Sequence, residues 1–482
     1  MKNYDHYDPA VKWLFYNRDK VSSWLGRDIL YTPPSSNPEH FPHKYKWDVL
    51  FSCVIKARKG YSKDASLELL DLFEGQRSDG LVPSPQFVEK GREDDFERIF
   101  FTDNNASDYG QPPIEALAAQ EIYQGFDIEG KIEAGRQWLS EMYPKLKASY
   151  NYFADNRTSG PYHPLIFNTH PHETGRDSDP TFDFFKFRLR RKGKDTSKSV
   201  DAVNRVLDYA SVIMGGIEHW LDEWQIEKIR RRFEVYDVMF NCMYRDNLSV
   251  MANLAEIAAQ GSQDEQERAN YMADAEHYRG LANEVDQAIL KEMWFETEGE
   301  AGLLLALQPD GPIREVSVSN LFALTLPGLN EDQLESSLGL LEKYFITQDT
   351  QLPIPSVPPI NPIDGKLNPN YDPNHGEWDR LWRGSTWINM NWYLVERGID
   401  MQAERADMAH RPDLISRCQN LIQFISERSY KVVAGVGLWE CYGPEDTRPH
   451  RANRSPTFAW SALAYLLKDK YLVETKDLTQ SA

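Results

Sequence analysis

The chain has 482 residues, 41% of them hydrophobic and 12% aromatic, and a formal net charge of −20. That much apolar content can bury a large core, and the aromatic surplus suits either a core or a surface on which sugar rings stack. An acidic balance of this size repels phosphate backbones and anionic lipid, so nucleic acid and membrane surfaces are not expected as partners.

Apolar residues recur at helical spacing, and the spacing predicts helices over 64–75, 112–124, 130–154, 200–222, 237–260, 264–294, 317–326, 332–345, 384–397, 411–429 and 456–471. Pro112 and Pro113 suit a helix's first turn, and Gly75 and Gly398 sit where a C-terminal cap belongs. Strand signals are few. The β-branched stretch 430–439 and the run 301–308 read as short hairpins between helices. About a dozen helices in antiparallel succession fit an all-α fold, an α/α-barrel rather than a bundle. Long loops rich in Pro, Gly, Asp, Asn and rings fall at 27–48, 76–112, 155–181, 346–383 and 440–456, about once per helix pair. Long irregular loops in a compact domain are usually functional, and this recurrence puts them on one rim. No linker or repeat divides the chain. One domain over 1–482 is expected, with loop insertions near 155–200 and 346–380.

The four cysteines, Cys53, Cys242, Cys418 and Cys441, are scattered without CxxC spacing. They read as free thiols rather than disulfides or a zinc site. The opening MKNYDHYDPAVKWLFYN has no apolar stretch of signal-peptide type, and no run of about 18 apolar residues occurs. A cytoplasmic protein without cofactor or metal is expected, with homo-oligomer formation left open. The pairs His40/His43 and His170/His172 lack a further ligand at metal spacing.

Five segments could carry chemistry. HPHETGRDSDP, residues 170–180, holds Glu173, Asp177 and Asp179 in a Gly- and Pro-bearing loop. Asp177 could be a general acid if its surroundings disfavour its ionised form, or the segment could be a solvated acidic turn. In GLWECYGPEDTRP, residues 437–449, Glu440 lies between Trp439 and Tyr442, either hydrogen-bonded in a core or on a site wall. In FPHKYKWDVLFSC, residues 41–53, Asp48 follows Trp47, as a helix N-cap or as a sugar-hydroxyl ligand beside a stacking indole. In 377–394 four tryptophans, 378, 382, 387 and 392, cannot all share one helix face, so at least one pair should line something other than core. Arg383 there could bond a carboxylate bidentately. In YGQPPIEALA, residues 109–118, Gln111 could point into a site or be a turn residue.

The order of these segments is the stronger signal. YKWDVLF (45–51), GQRSDGLVP (75–83), GQPPIEALA (110–118), HETGRDSDP (172–180), FEVYDVMFN (233–241), LWRGSTWINMNW (381–392), LWECYGP (438–444) and FAWSALA (458–464) are collinear over nearly the whole chain. Together they resemble glycoside hydrolase family 63, in its bacterial branch acting on mannosylglycerate and glucosylglycerate. The resemblance implies an (α/α)6 barrel, hydrolysis with inversion, Asp177 as general acid and Glu440 as general base. It also implies that Tyr45, Trp47, Asp48, Gln111, Gly175, Trp382 and Arg383 line the subsite of the cleaved sugar. Inversion leaves about 6.5–9.5 Å between the two carboxyls for a water.

The chain departs from the family pattern at four places. His172 stands where Trp is frequent, Arg176 where an apolar residue is common, and Cys441 where an aromatic follows the base. A free Arg176 would lower the acid's pKa, so it either points away or is neutralised by Glu173 or Asp179. After Pro444 the expected Thr-Gly turn becomes EDTRPHRANRS. Its Arg448, Arg451 and Arg454 either clamp an anionic leaving group or form a solvated loop. The expected activity is thus hydrolysis of glucosylglycerate or mannosylglycerate. Trehalose and short α-glucosides are the alternatives within the class. The rival classes are a sugar isomerase or epimerase using His170, His172, His375 and His450, and a non-catalytic sugar-binding protein.

Overall fold

The computed structural model describes residues 8, 10–12, 14, 19–21, 28–35, 41, 43–86, 109–176, 178–183, 234–297, 300–346, 351–373, 380–449 and 457–472. Helical segments of two kinds alternate along it. One kind is buried on nearly every side: Lys46–Arg58 (α1), Glu115–Ile128 (α3), Val238–Gly261 (α5), the 3-10 turn Val318–Thr325, Ile388–Tyr393 (α8) with its π-helical continuation Leu394–Ile399, and Leu463–Tyr471 (α11) behind the turn Ala459–Ala462. The other kind buries one stripe: Ser62–Phe73 (α2), Ile132–Asn156 (α4), Glu265–Ala288 (α6), Glu331–Leu340 (α7) and Pro412–Val436 (α10). A helix apolar all round belongs inside and an amphipathic one outside. The contacts follow that rule. Each inner segment packs on the next, and α11 with its preceding turn packs back on α1, so six inner segments close a ring with the outer helices against it. This is an (α/α)6 barrel.

Local chemistry sets the boundaries. Asp237, Asp264 and Asn330 accept amide hydrogen bonds at the starts of α5, α6 and α7, and Asn330 with Gln333 forms a reciprocal capping box. Helix α1 has no such cap, because its N-cap is Tyr45. Its first amides are satisfied from outside: Lys46 N–H donates to Ser84 Oγ at 3.0 Å and Trp47 N–H to Gln111 Oε1 at 3.1 Å. Asp48 is therefore a first-turn residue and not the cap.

Four other expectations change. Pro112 and Pro113 precede α3, whose N-cap is Ile114, rather than opening its first turn. The region 430–436 is not a strand: α10 runs through it to Val436, and Val432 and Val433 fall on its buried stripe. Packing of that stripe outweighs the intrinsic preference of β-branched residues. The helix expected over 384–397 starts at Ile388. It passes Gly398 without a break, since Asp400–Met408 (α9) follows directly. Run 301–308 does contribute to hairpins, Trp294–Thr297 with Glu300–Leu304 and Leu307–Gln308 with Gly311–Pro312. The helix expected over 200–222 lies outside the described residues. Among the described residues no helix is long and apolar enough to cross a membrane.

Candidate active site

The chain reaches the inner ring five times through the loops singled out from the sequence, and all five contribute to one cavity of about 250 Å³. The first supplies Phe41, Tyr45, Trp47 and Asp48; the second Ser84, Pro85, Tyr109 and Gln111. The third supplies His172 and Gly175, the fourth Leu381 and Trp382, the fifth Glu440; Trp387 and Trp460 complete the wall. Asp48, Gln111, Trp387 and Trp460 lie at or just before the starts of α1, α3, α8 and α11. The cavity therefore sits at the N-terminal end of the inner ring.

Its rings form a bowl. Trp382 and Trp387 stack with centroids 3.9 Å apart and planes 4° apart. Trp460 meets Trp47 edge-on at 5.5 Å and Trp387 at 5.7 Å. Four tryptophans thus face one another, although α8 carries only Trp392 of the dense Trp stretch. Trp392 is core, bonded through its indole N–H to Glu396 at 2.8 Å, and Trp378 lies outside the described residues.

The polar groups are held from behind. Gln111 Oε1 accepts from Trp47 N–H and from Ser84 Oγ–H at 2.7 Å, so its amide NH2 is what it has to offer the cavity. Burial pushes the Asp48 carboxyl well above the usual range, against hydrogen bonds from its own amide and from Trp47. Its Oδ1 is buried with no hydrogen-bond partner among the described residues, an acceptor available to a hydroxyl. Gly175 has φ +67°, and a Cβ there would lie 2.3 Å from Cζ2 of Trp47, so only glycine lets the loop approach this indole. Glu440 is 6% exposed. Its carbonyl accepts from Trp460 Nε1–H at 2.9 Å, while Tyr442 Oη bridges Trp439 N–H and the Gly437 carbonyl. The turn carrying the carboxylate is thereby fixed.

Asp177 lies outside the described residues; its neighbours Arg176 and Ser178 are described. Arg176 is fully buried and pairs with Asp179 and with Asp237, the cap of α5. Ser178 Oγ accepts the Trp382 amide at 2.9 Å, which ties this loop to the Trp wall. Glu173 instead holds Arg157 at 2.8 Å. Arg176 is therefore neutralised, and its triad carries a net −1 next to position 177.

Arg383 departs from expectation. It is not in the cavity wall: its guanidinium donates to Asp183 at 2.6 Å and to Asn370 at 3.0 Å, behind Trp382. The carboxylate-seeking geometry read from the sequence is met by Asp183. Arg448 is 79% exposed beside Asp446, while Arg451, Arg454, His375 and His450 lie outside the described residues. His170 stacks on Tyr109 at 5.0 Å. Phe41, Tyr109, Trp387 and Trp460 were not singled out as lining residues. The crowding of tryptophans around 387 and the FAWSALA segment were the available signals.

A family model described as the mannosylglycerate hydrolase MGH1-like glycoside hydrolase domain matches residues 41–461. The chain belongs to this glycoside hydrolase family. It is a glycosidase. A mannosylglycerate hydrolase of Rubrobacter radiotolerans is 22% identical over 92% of this chain and 93% of its own, and one of Thermus thermophilus is 26% identical over 74% and 82%. Among solved structures, a family 63 mannosylglycerate hydrolase of Thermus thermophilus in complex with Tris and D-glycerate superposes with TM-score 0.68 and 21% identity. That match covers 96% of this chain and 99% of the other. The neutral trehalase Nth1 of Saccharomyces cerevisiae reaches TM-score 0.50 at 13% identity over 95% and 76%. At these identities the structural likenesses speak for the shared barrel of this glycosidase.

Proposed function

We propose that this glycosidase hydrolyses mannosylglycerate or glucosylglycerate with inversion, Asp177 acting as general acid and Glu440 as general base. The observation that carries the reading is the single cavity in which Glu440 shares a wall with Trp47, Asp48, Gln111, Gly175 and Trp382. In this reading the indoles stack on the apolar face of the sugar while Asp48 and the Gln111 NH2 hold its hydroxyls. Asp177 protonates the glycosidic oxygen. Glu440 takes a proton from the water that attacks the anomeric carbon from the other side. The names of the Rubrobacter and Thermus relatives support the choice of glycerate as leaving group, and the whole chain 1–482 is read as one catalytic unit.

The test is proton NMR of purified protein with each glycerate, trehalose, kojibiose and nigerose. Release of glycerate with the β-anomer appearing first supports the reading; an α-anomer first, or cleavage of the disaccharides alone, overturns it. Glu440→Gln and Asp177→Asn should each lower kcat by about 10²–10⁴.

A further inference from the structure

The cavity wall carries two carboxylates, Asp48 and Glu440. Of its fifteen described lining residues, His172 is the one whose side chain can become a cation near neutral pH. Among the described residues, the arginines of the neighbouring loops are engaged elsewhere: Arg157 with Glu173, Arg176 with Asp179 and Asp237, Arg383 with Asp183. Among the described residues, two groups sit directly against the His172 ring. Tyr109 Oη lies 3.3 Å from Nδ1, and the His170 ring is 4.7 Å away, its Nδ1 accepting the His172 amide. Tyr45, Asp48 and Glu440 share the same cavity. Glu173, next in the chain, is turned to Arg157. Among the described lining residues, the His172 ring beside Tyr109 is thus the one group that can set a positive charge against an anion.

We infer that His172 in its imidazolium form is a specificity-determining residue, its charge favouring an anionic leaving group of the hydroxycarboxylate class over an uncharged polyol. This rests on the glycosyl-glycerate reading above. The experiment compares kcat/KM for mannosylglycerate and for uncharged mannosylglycerol on the same enzyme sample, at low salt, from about pH 5.5 to about 8.5. The ratio of the two cancels any loss common to both substrates.

In the wild type the anionic-to-neutral ratio is expected to fall about five- to tenfold through one ionisation as pH rises, as for one charge at a half-buried site. His172→Phe should show a low, pH-independent ratio, and His172→Lys should keep a high ratio at the alkaline end. A wild-type ratio that is flat with pH, or one that His172→Phe leaves unchanged, overturns the inference while cleavage of both glycosides keeps the substrate reading intact. A wild type that cleaves neither overturns the inference together with that reading.

Discussion

Gly175 shows how tightly single residues define this cavity. Its left-handed backbone already costs any other residue about 1–2 kcal/mol, and its Cβ would collide with the Trp47 indole at 2.3 Å. Trp47 cannot yield alone, because it also packs against Trp460 and Trp382 and precedes Asp48. Gly175→Ala is therefore expected to lower kcat/KM by about 100-fold, the scale of a 1 Å misplacement, with a smaller loss of stability. Steady-state kinetics beside calorimetry would separate the two. Glu315 makes a prediction of another kind. Burial, with Asp183 nearby, raises its carboxyl to about 7, while Asn370 donates to it at 2.9 Å. A carboxyl raised on folding binds its proton more tightly in the folded state, so stability falls as pH rises from the ordinary value of about 4.5 to about 7 and then levels. With allowance for partial exposure this amounts to about 1–2 kcal/mol. Glu315→Gln should remove this slope in melting temperatures taken between pH 4.5 and 8; an unchanged slope would exclude Glu315 as its source.

At the scale of elements, the inner helices are stapled by charges that would be unaffordable alone. Lys46 is buried and its amine is pushed down by that burial, with Glu115 of the neighbouring inner helix, 2.6 Å away, acting in the opposite sense. Removing one partner strands a buried charge, which costs about 3–5 kcal/mol, whereas removing both can be nearly neutral. Glu115→Gln should thus lower the denaturant midpoint strongly, and Lys46→Met combined with Glu115→Leu should recover most of the loss. Additive losses in the double variant would refute this. Elements were legible in the sequence where their pattern is local. Amphipathic α4 and α6 announce themselves by spacing, and the loops by composition. Helix α1 shows no amphipathic spacing because burial on nearly all sides erases periodicity, and only the N-cap reading of Asp48 pointed to a helix there. The end of α10 was misread because Val432 and Val433 carry a strand preference that only the packed barrel overrides. Arg383 was misplaced for a similar reason: Trp382 beside it does line the cavity, but which of two adjacent side chains faces inward is decided by Asp183, 200 positions earlier in the chain.

On the scale of the whole molecule, the ring carries a second set of ion pairs away from the chemistry, beyond the Lys46–Glu115 pair at the cavity end. The cavity lies at the N-terminal end of the inner segments, whereas a lattice of ion pairs joins their later turns. Arg58, the last residue of α1, bridges Glu121 of α3 at 2.6 Å and Glu396 at 2.7 Å, and Arg397 holds Asp246 of α5 at 2.7 Å beside the Tyr393 hydroxyl. A substitution in this lattice should loosen the barrel without touching the reaction. Asp246 is the sharpest probe. Burial would raise its carboxyl, but Arg397 and Tyr393 prevail and hold it below the usual range. A carboxylate depressed on folding contributes stability that is present above its ordinary pKa and is lost as pH falls through the folded value. Asp246→Asn should therefore cost about 2–3 kcal/mol near neutral pH and progressively less in acid, with kcat of the folded fraction within about twofold of wild type. Glu440→Gln should do the reverse, leaving the melting temperature nearly unchanged while turnover collapses. Calorimetry and kinetics on the two variants, measured side by side, test the division. If Asp246→Asn slowed turnover as severely as Glu440→Gln at full folding, the two ends of the ring would be coupled rather than separate.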